Sequence, residues 1–188
     1  MVWVQKKVII IGAMGVGKTS VAKEISKRLD MEYIDIDELR WGYFAQQEDY
    51  DEKKVDEMFE ASNEIAAFEY FKPFEARFTV YILQALQAGV FDFGAGYSVY
   101  KDKELFSMVK SALMPYENVI LLRYSDNACK SLEALRNRHE DIPEKLYDAL
   151  NTEFINSPCN EILAKQIIDT KDLSVSEIVD VIIPRLRI

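Results

Sequence analysis

Gly12, four intervening residues and then Gly17-Lys18-Thr19 follow the spacing G-x-x-x-x-G-K-[ST], which folds a backbone around a phosphate. The glycines let successive N–H groups turn inward on an anion, and the helix that follows adds the positive end of its dipole. Lys18 can then reach the β- and γ-phosphates of a nucleotide, and the Thr19 hydroxyl can ligate Mg²⁺. The expected ATP contacts are therefore Gly12, Ala13, Met14, Gly15, Val16, Gly17, Lys18, Thr19 and Ser20. A second group is Asp35-Ile36-Asp37, at the end of a short strand expected over 33–37. Two acids two positions apart on a strand share a face, and open parallel α/β sheets bind ligands beyond the carboxyl ends of their strands. A metal-side or general-base role follows; the plain alternative is that Asp37 caps a helix starting at Glu38 and Asp35 is merely solvated. A third group is the turn Gly94-Ala95-Gly96, which admits close backbone approach of a ligand.

The surrounding pattern supplies elements that could hold these groups. Residues 4–11 read as a strand with near-continuous Val/Ile content, as expected where both faces of a parallel sheet are covered. Val21, Ala22, Ile25 and Leu29 make the inner stripe of the next helix, which should end near Asp30. From Glu38 to Ala88 the pattern is helical, with one stripe through Val55, Met58, Phe59, Ser62, Ile65 and Ala66. A second stripe starts after Pro73, which is suited to a first helical turn, and runs through Phe74, Phe78, Tyr81, Ile82, Ala85 and Leu86. Strands then recur at 90–93, 119–122 and 166–169, separated by helices expected over 103–113 and 126–138. Ser174-Val175-Ser176-Glu177 is a capping box opening a final helix. Five strands alternating with helices make an α/β, three-layer fold: a five-stranded parallel sheet with helices on both faces and right-handed crossovers.

Length and charge narrow the function classes. A chain of 188 residues suits one domain. Its net charge of −9 argues against general nucleic-acid binding, which needs a basic face. Cys129 and Cys159 form no C-x-x-C pair, so neither a metal cluster nor a redox motif is expected, and a reducing cytoplasm fits best. The opening residues have no charged leader before an apolar core, and no stretch approaches the roughly 20 apolar residues of a membrane helix. The expectation is a cytoplasmic protein with no membrane partner. His139 lies beside Glu140 and Asp141, which reads as an exposed lid position rather than a base.

In order along the chain, the 12–20 loop, the Asp35/Asp37 pair, the 94–96 turn, the Arg136/Arg138 region and Ile168-Asp169-Thr170…Ser174 resemble shikimate kinase, in the nucleoside-monophosphate-kinase-like branch of P-loop proteins. The resemblance covers nearly the whole chain and implies a sheet order 2-3-1-4-5. It further implies a single kinase domain over 1–188, with a core of 1–39 and 89–188, a helical substrate-binding insertion at 40–88 and a lid at about 136–150. The 169–174 loop would border the adenine. By the same resemblance Thr19 and Asp35 organise Mg²⁺, and Asp37 contacts the acceptor hydroxyls and is the candidate base. Arg136 or Arg138 closes over the phosphates, Gly94, Ala95 and Gly96 hold the substrate, and the protein is a monomer.

The substrate side departs from the family pattern. Where that pattern has Phe-Arg the chain has Phe74-Glu75, with Arg77 two positions further along as the remaining substrate-binding cation. Asn156 stands for an arginine before Ser157-Pro158, Ala95 occupies the middle of the glycine turn, and Asp141-Ile142-Pro143 replaces Arg-Pro. A carboxylate in place of an arginine turns attraction into repulsion toward a carboxylate ligand. Three functional readings follow. The first is an ATP- and Mg²⁺-dependent kinase of a small hydroxyl compound other than shikimate; the second is shikimate kinase proper; the third is an ATP-binding sensor or interaction protein without turnover.

Overall fold

Val/Ile/Leu-rich strands form the centre of the protein because each must be covered on both faces. The computed structural model describes residues 6–136, 138 and 142–188, so His139 and Asp141 lie outside the described residues. Five parallel strands, β1 (Lys7–Ile11), β2 (Tyr33–Asp35), β3 (Gly89–Asp92), β4 (Val119–Arg123) and β5 (Gln166–Asp169), form one sheet in the order β2-β3-β1-β4-β5. Alternation along the strands divides the core in two. Ile9, Ile11, Phe91, Phe93, Val119 and Leu121 pack on one face; Val8, Ile10, Val90, Ile120 and Leu122 pack on the other. The first strand begins at Lys7; residues 4 and 5 of the expected range lie outside the described residues.

The face containing Ile10 is covered by α1 (Lys18–Leu29), α7 (Glu144–Asn156) and α9 (Val175–Ile182). The capping box of α9 is present, with Ser174 Oγ accepting from the Glu177 backbone amide and Glu177 accepting from the Ser174 amide. The other face is covered by α2 (Ile36–Phe44), α3 (Glu52–Glu60), α4 (Glu64–Ala85) and α5 (Lys103–Leu113). Two short helices, α6 (Ala128–Leu135) and α8 (Pro158–Leu163), precede and follow α7 in the chain.

Three expectations about local structure are corrected. Pro73 does not start a helix but sits inside the 22-residue α4. A proline there forfeits one helical hydrogen bond, at a cost of about 3 kcal/mol. Burial of Ala67, Phe71, Phe74 and Phe78, on both sides of the proline, holds the helix through it. Ser62 and Ile65 do not continue the stripe of α3, because the chain turns at Ser62 (φ 53°) and Ile65 is exposed. The second strand ends at Asp35 rather than Asp37, since the helix begins at Ile36.

Phe44, fully buried at the end of α2, is the hub of the apolar cluster between α2 and α4. Its ring lies 5.5–6.5 Å from those of Trp41, Tyr43, Tyr50, Phe71, Phe74 and Phe78. Phe44→Ala should cost about 3–5 kcal/mol, the range for an aromatic removed from a closed core, read from the urea unfolding midpoint. A loss below about 1 kcal/mol would mean that this helical layer does not share the core.

Candidate active site

The carboxyl ends of β1, β2 and β3 lie side by side, with Asp92 in register with Ile10 on one flank and Asp35 on the other. The 12–17 loop leaves β1 here and enters α1 through Gly17, whose φ of 102° is open only to glycine without strain. No side chain caps α1 and no acid stands in its first turn, so its leading N–H groups remain available to an anion. Lys18 is buried and its Nζ donates to the Ala13 carbonyl at 3.0 Å. Burial lowers its pKa, against the opposing pull of Asp92 and Asp37.

The loop is braced from α7. Asn151 Oδ1 accepts from the Met14 amide at 3.0 Å, Asn151 Nδ2 donates to the Met14 carbonyl at 3.2 Å, and the Tyr147 hydroxyl donates to the same carbonyl. Neither residue stood out in the sequence, because a helical Asn or Tyr carries no motif. Arg138 Nη1 donates to the Gly15 carbonyl at 3.3 Å and its guanidinium lies over the Tyr124 ring. Arg136 turns the other way and pairs with Asp148 at 3.0 Å on the surface. Of the two arginines, only Arg138 is brought to the phosphate loop.

Asp35 and Asp37 part company because α2 starts between them. Asp35 caps the helix, accepting from the Glu38 amide at 3.1 Å, and its other oxygen is reached by the Tyr33 hydroxyl at 3.2 Å. The expected capping role thus belongs to Asp35 and not to Asp37. The Tyr33 hydroxyl also reaches Asp92 at 3.0 Å, and Asp92 lies near Thr19 and Lys18. Burial raises the Asp92 pKa, while Thr19, the bond from Tyr33 and the charge of Lys18 hold it down. Asp92 is therefore a carboxylate beside the threonine of the loop, placed there by its register with Ile10, the residue two before Gly12.

Asp37, in the first turn of α2, faces a cavity of about 490 Å³ that Lys18, Thr19, Arg40, Glu75, Gly94, Ala95, Gly96 and Tyr97 also line. Its side chain is 52% exposed, and its pKa is raised chiefly by partial desolvation at this cleft and also by Glu75 and Asp35; Arg40 and Lys18 work against the rise. Arg40 Nη1 sits 3.0 Å from Asp37 and 3.9 Å from Glu75. Glu75, 3% exposed, also takes Lys72 Nζ at 3.0 Å, and that ammonium donates to the Gly96 carbonyl at 2.7 Å. Glycine is required in this turn for the side chains beneath it. A Cβ on Gly94 would stand 2.5 Å from the Asp37 carboxylate, and one on Gly96 2.9 Å from Lys72 Nζ.

Two substrate-side expectations change. Arg77 does not line the cavity: it forms a bidentate pair with Asp49, at 2.9 and 3.0 Å, and lies over the Phe74 ring. The acceptor-side cation that lines the cavity is instead Arg40, and Lys72, which does not line it, bonds two groups that do, Glu75 and the Gly96 carbonyl; neither cation is singled out in the sequence. Phe71-Lys72, one helical turn before Glu75, was the available signal. Glu75 does face the cavity, yet it is neutralised by these two cations rather than left to repel. Asn156 lines a separate cavity of about 290 Å³ behind the loop and donates to the Thr152 carbonyl. Arg123, at the end of β4, is held by Asp169 at 2.7 Å and by Glu161 at 3.2 Å, so Asp169 ties β5 to β4. Among the described residues no group of three or more His, Cys, Asp or Glu could hold a metal by itself.

The model of the family described as shikimate kinase matches residues 14–187. The shikimate kinase of Bacillus subtilis is 26% identical over 190 aligned positions, covering 98% of this chain and 90% of the relative. That of Bacillus pumilus is 24% identical, covering 98% and 91%. Among solved structures, the shikimate kinase of Acinetobacter baumannii in complex with shikimate superposes with a TM-score of 0.64 at 15% identity, covering 96% of this chain and 92% of that one. The shikimate kinase of Bacteroides thetaiotaomicron gives a TM-score of 0.60 at 16% identity, over 97% and 99%. At such identities the likeness is one of fold.

Asp35→Ala should remove the α2 cap and lower stability by about 1 kcal/mol, the usual range being 0.5–2, in urea unfolding. Asp35→Asn, which keeps a cap acceptor, should restore most of the loss. Equal losses in the two variants would show that charge, and not capping, is what Asp35 contributes.

Proposed function

The chain belongs to the shikimate kinase family, and on that premise we propose that it transfers the γ-phosphoryl group of ATP to a hydroxyl of a small molecule. The observation that carries the proposal is that Lys18 and Asp37 open onto one cavity, so a phosphate-binding cation and a carboxylate face the same enclosed space. The loop 12–20 and the N-terminus of α1 hold the phosphates of ATP, as their uncapped amides fit an anion. The core strands with their flanking helices serve as one kinase domain, residues 40–88 form the acceptor side and about 136–150 the lid.

Mg²⁺ is expected at Thr19 and Asp92, two neighbouring hard oxygen donors. Asp35 is the poorer donor because one of its oxygens is taken by the α2 cap. The ion, when bound, draws charge from the phosphate oxygens.

The acceptor hydroxyl lies against Asp37 and in line with the γ-phosphorus. As its oxygen forms the new P–O bond, its proton passes to the Asp37 carboxylate and the bond to the β,γ-bridging oxygen breaks, releasing ADP. Lys18 and Arg138 meet the charge that grows on the transferred group and on the leaving oxygen. The 94–96 turn, held by Lys72 through the Gly96 carbonyl, bounds the acceptor on the side away from the loop. Shikimate is the second reading of the acceptor. The family to which the chain belongs favours it.

Asp37→Asn should leave ATP affinity within about threefold while lowering turnover by roughly 10²-fold or more; unchanged turnover would remove Asp37 as the base. The ionised form of Asp37 is the active one, so its raised pKa places the acid limb of kcat above the ordinary aspartate value. Glu75→Gln removes an interaction that raises that pKa and should move the limb to lower pH. Arg40→Gln removes one that lowers it and should move the limb to higher pH. Both shifts are read from pH–rate profiles, and shifts of the opposite sign would contradict the assignment. Asp92→Asn should raise the Mg²⁺ concentration needed for half-maximal rate by about tenfold or more, and Asp35→Asn by much less.

A further inference from the structure

Among the described residues, Arg40 lines the acceptor side of the cavity and Lys72 bonds to two groups that line it, Glu75 and Gly96; both cations already have a carboxylate partner. Arg40 lies 3.0 Å from Asp37 and 3.9 Å from Glu75, and its guanidinium also stacks on the Trp41 ring at 4.3 Å. Lys72 gives one N–H to Glu75 and one to the Gly96 carbonyl, and its ammonium lies over the Tyr100 and Phe154 rings at 5.2 and 5.9 Å. Its side chain is only 13% exposed. Asp37 and Glu75 against Arg40 and Lys72 sum to zero charge. A ligand carboxylate entering here gains no unpaired cation and must compete with Glu75, which cannot leave because it is fixed in a buried helix. The remaining wall is neutral. Phe68, Ile142 and Phe154 line one part of it and Tyr97 another. Such a wall suits hydroxyl groups and carbon skeleton better than an anion.

We propose that the acceptor is an uncharged polyhydroxy compound, selected because Glu75 neutralises the cations that a carboxylate acceptor would need. Specificity here is a difference in affinities, and the buried Glu75 contributes to it by opposing the anionic competitor. Asp37 remains the residue that meets the reacting hydroxyl, so the inference rests on the kinase reading above and narrows its second substrate. Glu75 is a specificity residue that acts through Lys72 and Arg40.

The test uses pairs that differ in one carboxylate: shikimate against its methyl ester, and gluconate against glucitol. Binding of each is measured by calorimetry to the protein loaded with Mg²⁺ and a non-hydrolysable ATP analogue, and turnover is followed as ADP release from Mg-ATP. The neutral member of at least one pair should bind about tenfold or more tightly than its carboxylate partner. Glu75→Gln, which frees Lys72, should shift that ratio toward the carboxylate by about tenfold or more, with ATP-analogue binding retained as evidence of folding. Tighter binding of the carboxylate members to the unmodified protein overturns the proposal without recourse to any variant. So does an unchanged ratio in Glu75→Gln, or failure of both classes to bind while the ATP analogue does. Tight binding of a neutral member with no ADP release overturns the kinase reading instead and leaves the choice of ligand class standing.

Discussion

A carboxylate buried on a helix must be neutralised where it stands, and Glu75 imposes that requirement on everything around the acceptor cavity. Its partners are fixed by geometry. Lys72 precedes it by three residues on α4 and therefore shares its face, and Arg40 comes across from α2. Both cations then need room. The turn after β3 supplies it by carrying no side chain at Gly94 and Gly96, where a Cβ would strike Asp37 or Lys72. Pro73 falls between the two members of the pair, and the helix continues through it because the aromatic stripe on either side is buried. The arrangement joins a helix, a turn and the general-base candidate into one electrostatic unit.

That unit meets the phosphate loop through two carboxylates with separate tasks. Asp37 lies between Arg40 and Lys18, so the charge of the acceptor side is balanced before it reaches the phosphates. Asp92 lies deeper, beside Thr19 and Tyr33, at the junction of β1 and β3. The loop itself is held from behind by Asn151 and Tyr147 of α7 and touched in front by Arg138. The residues that fix the Met14 peptide therefore come from a single helix, α7.

The fold and the donor side were legible in the sequence because they are local. A run of branched residues followed by the glycine spacing specifies strand, loop and helix within a few positions, and the alternation of strands with helices gives the sheet class. The family resemblance supplied the strand order. What the sequence hid depended on phase or on pairing between distant elements. Ending β2 one turn of pleat earlier, at Asp35, changed a shared strand face into a cap and a separate cavity-facing acid. Arg77 looked like the cation of the acceptor site from its proximity to Phe74, but helical phase sends it to Asp49 and brings Lys72 inward. The side of the sheet on which Asp92 meets Thr19 required the β1–β3 register, which no stretch of sequence contains. Glu75, read as an unbalanced negative charge, is neutral in effect because its partners come from two helices.

The account stands on the buried Lys72–Glu75 pair being neutralised as a unit, and a double-mutant cycle measures that directly. Unfolding free energies would be compared for the unmodified protein, Lys72→Met, Glu75→Leu and the double variant. Removing one charge strands the other, so each single variant should lose about 3 kcal/mol or more, whereas the double variant should regain most of that loss. Losses that simply add would show two independent surface charges and would contradict a neutralised acceptor cavity.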